Sequence, residues 1–264
     1  MIDRIAPTRR AVGERVVMRQ TWSELLFLHW PVPPETLAPL LPPGLTLDTF
    51  DGAAYVGLVP FTMTGVRPVW SPPVRGLSAF HETNVRTYVH CEGSDPGVWF
   101  FSLDAANAPA VRIARTLWKL PYHLARMTLA RDNARIRYVS ERLWPGPLPG
   151  TCRAECTPAG TPAPAQPGTL EHFLAERYVL DARSRHGRLR RGRVHHAPYP
   201  LQTATLHALD ETLVGAAGIA LPRPNEPPPL VHYAREVNVE VFGLGAVRPS
   251  PSPPSPPLGG KGGL

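Results

Sequence analysis

From residue 16 onward the chain reads as short apolar runs separated by turn residues. "VVMRQTWSELLFLHW" is strand-like, with no glycine or proline before Pro31. "PETLAPLLPPG" predicts a short helix, opened by a proline pair and closed by Pro42, Pro43 and Gly44. "LTLDTF" and "AAYVGLVPFTM" flank Asp51 and Gly52, a pair that supplies the positive φ of a two-residue hairpin turn. "FHETNVRTYVHC" and "GVWFFSLDA" follow as two more strands. Helix is expected at "NAPAVRIARTLW", capped by Asn107, in pieces after Pro121, and at "TLEHFLAERY". "NARIRYVSERLW", "RYVLDARS", "GRLRRGRVHH", "TATLHALDETL" and "VHYAREVNVEVFGL" complete a mostly antiparallel set. Many strands with few short helices predict a mostly β chain, an antiparallel barrel or strongly curved sheet. A closed sheet of this size often encloses a ligand cavity.

Three stretches break the pattern: a basic arm over 1–14, a proline-rich loop at about 146–169, and a Pro/Ser/Gly tail over 248–264. All three are expected to be unstructured, leaving one domain over 15–247. A chain of 264 residues, 43% of them hydrophobic, can bury a full core. No apolar run reaches the length of a bilayer span, and the first residues lack the apolar core of a secretory signal. A cytoplasmic protein without a membrane partner is therefore expected.

The formal charge of +7 invites a nucleic-acid reading, which its location weakens. Six arginines fall between Arg183 and Arg193, and without them the charge is only +1. They are expected on a solvated hairpin turning at His186 and Gly187, with no interleaved aromatic rings to stack on bases. No nucleic-acid partner is expected, and the oligomeric state is not legible. Cys91, Cys152 and Cys156 lack a second ligand pair at metal spacing, and no two histidines stand at helical i, i+4 spacing. Neither a metal nor another cofactor is expected. Nucleophile-elbow, dinucleotide, P-loop and zinc-protease motifs are all absent.

Candidate chemistry concentrates in "HETNVRTYVH". Alternation places Glu82, Asn84, Arg86, Tyr88 and His90 on one side, with His81, Thr83, Val85, Thr87 and Val89 on the other. Alternation alone leaves two readings of the polar side: a solvated face, or the interior of a barrel where Glu82 and Arg86 form a charged pair around a substrate.

"FHETNVRTYV", "FFSLDA", "ARTLWKLPYHLARM", "LAERYVL", "RVHHAPYPLQTA" and "PPETLAPLLPPGLTLDTFDGAAYVGLVPF" occur in the order seen in the uncharacterised YqjF-type proteins, which this chain resembles from Gln20 to Phe242. That family is grouped with acetoacetate decarboxylase, which implies an antiparallel barrel-like fold around a central pocket. The decarboxylase uses a lysine Schiff base assisted by arginine and glutamate. Aligned on tryptophan and proline, "WKLPYHLA" puts Tyr122 and His123 where the decarboxylase has its paired lysines. Lys119 falls where that enzyme has glycine. Helical spacing with Arg112 and Arg115 sets Lys119 on a polar stripe, either solvated or reaching the pocket. The resemblance moves Glu82 to the interior and implies acid/base roles for Glu82, Arg86 and Tyr122. Asn84, Tyr88, His123, Lys119 and His196 are the expected further pocket residues, His196 because "VHHAPYPL" ends a strand at a pocket rim. The expected function is binding of a small carbonyl- or carboxylate-containing metabolite in a polar cavity, with acid/base chemistry and without the Schiff-base lysine. A non-catalytic metabolite binder is the alternative. An interaction module using the arginine hairpin is a third.

Overall fold

The apolar run that opens the domain forms β1 (Val16–Val32), and it is apolar because both of its faces are covered. The computed structural model describes residues 2–10, 12–183, 187–223 and 226–246. Leu26, Leu28 and Trp30 of β1 enter one core cluster, while Leu25 and Phe27 enter another on the opposite side. β1 lies between β3 (Ala54–Pro68) and β12 (Leu230–Phe242), antiparallel to both. β3 pairs with β4 (Phe80–Cys91), and β4 with β5 (Ser94–Ala105). At the β4–β5 turn Glu92 and Gly93 adopt φ of 49° and 77°. Asp51 and Gly52 adopt 49° and 80°, as the sequence predicts, although the hairpin they close is one bridge deep, Phe50 to Ala53. Left-handed backbone at both central positions is what the tight turn between right-twisted strands requires.

The remaining elements are α1 (Pro34–Leu37), β2 (Thr46–Leu47), α2 (Ala108–Ile113), β6 (Tyr122–Asp132), β7 (Arg135–Trp144), β8 (Thr151–Ala163), α3 (Leu170–Ala175), β9 (Val179–Arg183), β10 (Leu189–His195), β11 (Leu201–Glu211), α4 (Leu213–Ala216) and β13 (Gly245–Ala246). Asn107 caps α2 as expected, its Oδ1 accepting from the Ala110 amide at 3.0 Å. Among the described residues thirteen strands form one sheet in the order β13-β10-β9-β5-β6-β7-β8-β11-β12-β1-β3-β4-β2. Further pairings, β4 with β5 and β10 with β12, bring the sheet back on itself. Among the described residues no helix is long and apolar enough to cross a membrane.

Four expectations are corrected. The segment after Pro121 is strand, not helix: β6 runs parallel to β5, and α2 forms the crossover that a parallel pair requires. The proline-rich stretch at 146–169 contains β8, whose Cys152, Ala154 and Cys156 alternate into the core. Its Pro158 and Pro162 are tolerated because β7 pairs with β8 only as far as Cys156, so the later half has a partner on one side alone. The N-terminal arm is partly packed. Arg4 reaches the buried Asp48 at 2.5 Å and 3.1 Å, and Pro7 is buried. The arginine hairpin is not wholly solvated either, since Arg191 turns inward to Asp181 at 2.9 Å and Asp95 at 2.8 Å. The expected turn at His186 and the tail over 248–264 lie outside the described residues.

Two bulges shape the interior. Between Ser23 and Leu28 the register against β3 slips by one residue, at Glu24 with φ 52°. Between Val85 and Arg86 the register against β5 slips by one at Phe101. A bulge reverses the in/out alternation beyond it. Thus Met18, Gln20 and Trp22, then Leu25, face one cavity, as do Val98 and Phe100, then Leu103.

Candidate functional site

The central strands are buried on both sides, and the two sides differ. Val85 and its neighbours face the solid core, whereas Glu82, Asn84 and Arg86 line a cavity of about 530 Å³. The polar face of β4 is therefore interior. The cavity is not polar throughout, which corrects the expectation. Its walls are largely apolar, with Trp22, Phe61, Met63, Phe80, Phe100 and Trp118 among them. Polar groups come from β4, from Tyr122, from Arg177, Tyr178 and Tyr199, and from Gln20, Arg67, Ser71, Ser78 and Asn107.

β6 delivers Tyr122 through its register. Tyr122 stands opposite Leu103 and His123 opposite Asp104, so the two residues point to opposite faces. The Tyr122 hydroxyl donates to Glu82 Oε2 at 2.8 Å. Arg115 donates to the Tyr122 carbonyl and fixes the start of the strand. Glu82 is only 3% exposed and forms no ion pair with any described residue. Burial pushes its carboxyl up to about 8, against a lowering by the Tyr122 hydrogen bond and with a further rise from Asp104. Tyr122 is held well above its ordinary range by burial and by Glu82.

Farther along β4, Arg86 donates Nη2 to the Leu174 carbonyl at 3.0 Å and lies over the rings of Phe27 and Tyr88. It forms no ion pair with any described residue, and its Nε has no partner. Gly57 stands opposite it because a Cβ there would come within 3.0 Å of His29 and 3.3 Å of Arg86. Tyr88 sits behind the cavity wall. Its hydroxyl donates to the Leu174 carbonyl at 2.8 Å and accepts from His29 Nε2 at 2.7 Å. Arg177 also lines the cavity and donates to Asp48 at 2.7 Å, sharing that acid with Arg4.

Glu82, Asn84, Arg86 and Tyr122 are thus brought together, and Tyr88 supports them from behind. Three other expected pocket residues lie elsewhere. His123 faces away from the cavity, bonding through Nδ1 to the Pro145 carbonyl at 2.7 Å beside the Asp104–Arg142 pair. Lys119 ends the helical turn over 114–118 in left-handed backbone, φ 56°, and folds back to donate to the Thr116 carbonyl. It is absent from the cavity wall, because Leu120 and Pro121 turn the chain before Tyr122 enters the sheet. His196 is stacked on Tyr178, centroids 4.3 Å apart, and packs behind that ring rather than on the cavity. Its Nδ1–H donates to the Ala197 carbonyl at 2.7 Å, and burial lowers its pKa to about 4. Arg177 was not anticipated. Its signal is the charged Glu176-Arg177 step inside the otherwise apolar "FLAERYVL".

A family model, DUF2071, described as an uncharacterized conserved protein, matches residues 19–238. The chain is 40% identical over 223 residues to the uncharacterized protein YqjF of Bacillus subtilis (strain 168), across 84% of this chain and 89% of that protein. Among solved structures, an acetoacetate decarboxylase from Legionella pneumophila superposes with a TM-score of 0.60 at 12% identity, over 90% of this chain and 91% of that one. An acetoacetate decarboxylase-like enzyme from Sphingomonas wittichii RW1 gives 0.58 at 13% identity, over 88% and 94%. The enduracididine biosynthesis enzyme MppR, complexed with pyruvate, gives 0.57 at 15% identity, over 91% and 94%. At these identities the likeness shows a shared fold.

Proposed function

We propose that this chain, which belongs to the DUF2071 family of uncharacterized conserved proteins, binds a carboxylate-containing metabolite in its cavity and exchanges a proton with it. The observation that carries the reading is Arg86, a buried guanidinium in the cavity wall with no counter-charge among the described residues. An unpaired buried charge costs several kcal/mol, and an anionic ligand group would offset that cost. Arg177 is the weaker candidate, because it donates to Asp48, an acid that it shares with Arg4. The pyruvate complex of MppR, a protein of the same fold, supports an organic acid as the ligand class.

Glu82 supplies the proton chemistry. With a pKa near 8 it holds a proton at neutral pH and is poised to give it up or take it back. Tyr122 fixes the carboxyl by its hydrogen bond. A Schiff base has no support here, because Lys119, the one lysine among the described residues, lies off the cavity wall. The same observation favours a second reading, a metabolite-binding protein without turnover.

Keto acids with the carbonyl several carbons from the carboxylate, and the corresponding saturated acids, incubated with the protein in D2O and followed by NMR, separate the readings. Wild type should bind both and exchange the hydrogens next to the carbonyl of the keto acid. Arg86→Met should lose binding, and Glu82→Gln should bind and lose exchange. Binding without exchange in wild type would leave the second reading. Failure of every carboxylate to bind would end both.

A further inference from the structure

We infer that the ligand is an elongated, amphiphilic monocarboxylate, its acid group at Arg86 and its apolar chain running along the cavity to a hydrophobic mouth. The inference rests on the cavity being the binding site, as proposed above. Glu82 and Arg86 stand four residues apart on one strand, which separates their Cα atoms by about 13 Å. The side chains close only part of that gap, so a two- or three-carbon acid held at Arg86 falls short of Glu82. Phe80 lies a further two residues toward the open end, about 20 Å from Arg86 along the strand. A cavity of about 530 Å³ is also of the size that encloses a drug-sized molecule rather than a keto acid of three or four carbons.

The surface along this path is largely apolar, with Gln20, Arg67, Ser71, Ser78 and Asn107 as its polar members. Beyond Glu82 it is formed by Met18, Trp22, Met63, Val66, Phe80 and Trp118. At the open end Val74 and Leu77 from the β3–β4 connection face Ile113 and Leu117 from the α2 region. These four side chains line the cavity and are yet 45–69% exposed. Large apolar side chains left in water beside a deep cavity mark a surface that meets an apolar group. An anion-seeking inner end and a greasy exit call for one molecule with both characters.

Straight-chain saturated carboxylates from butanoate to dodecanoate, kept below their micelle-forming concentrations, test this by calorimetric titration at neutral pH. Primary alcohols of matched length serve as controls. Affinity should rise about three- to fourfold per methylene and level off once the chain reaches the mouth. Each alcohol should bind at least tenfold more weakly than its acid. Leu117→Glu, at an exposed position, should remove the gain from the last carbons of the longest acids. Short acids that bind with no dependence on length would overturn the inference and leave the Arg86 site standing. Alcohols that bind as well as acids would overturn the anionic head. No binding at any length would remove the inference together with the function it rests on.

Discussion

Glu82 on β4 and Asp104 on β5 are adjacent in the sheet and equally buried, 3% and 0% exposed, yet only one of them has a cation. Asp104 faces the solid core and receives two bonds from Arg142, at 2.9 Å and 2.6 Å. Glu82 faces the cavity and receives only a tyrosine hydroxyl. Arg86, on the same face, is a cation without an acid. The sheet therefore matches charge on the side where nothing enters and leaves it unmatched on the side with space for a ligand. Burial alone does not identify a working carboxyl. Burial combined with a missing counter-charge, next to a cavity, does.

The largest effect should come from breaking the matched pair. Arg142→Leu leaves Asp104 buried and unpaired and should cost about 3–5 kcal/mol in urea unfolding. A cost below about 1 kcal/mol would mean that Asp104 escapes to solvent, and the contrast between the faces would fail.

Glu82→Gln should behave differently, with an effect set by pH. Below pH 4.5 Glu82 is protonated in both states. Between 4.5 and about 8 the folded protein keeps a proton that the unfolded chain has lost, so wild-type stability falls as pH rises and levels off above 8. Relative to Glu82→Gln, wild type should lose about 2 kcal/mol between pH 6 and pH 8. Taking the difference between the two proteins cancels the contribution of other carboxyls raised by burial, Glu176 and Asp181 included. A flat difference would show Glu82 to be ionised in the folded protein, like an ordinary surface acid. The smallest effect belongs to Lys119→Ala, which should change stability by less than about 0.5 kcal/mol and leave carboxylate binding unaltered.

Much of this was legible in the sequence where residue order alone decides the outcome. The Asp51-Gly52 turn, the Asn107 cap and the alternation of β4 depend on neighbours in the chain. What alternation could not supply was the far side of β4. Whether Glu82 meets water or a cavity depends on β1, β3 and β5, assembled from distant segments. β8 escaped because its prolines are allowed by the end of β7, a partner that local composition does not reveal. His123 is expected in the pocket because the resemblance sets it beside Tyr122 at the paired-lysine positions. In a strand they separate. The helical stripe leaves Lys119 between two readings, and its bond back to the Thr116 carbonyl keeps it off the cavity wall.

The bulges at Glu24 and Phe101 bear on how such a pocket could change over time. Each acts as a phase switch: residues before it present even positions to the cavity, and residues after it present odd ones. Moving a switch by two positions along its strand would exchange a cavity residue for a core residue while every amino acid stayed the same. The lining can therefore be rewritten by a one-residue insertion paired with a nearby deletion, a route that comparison of substitutions alone would overlook.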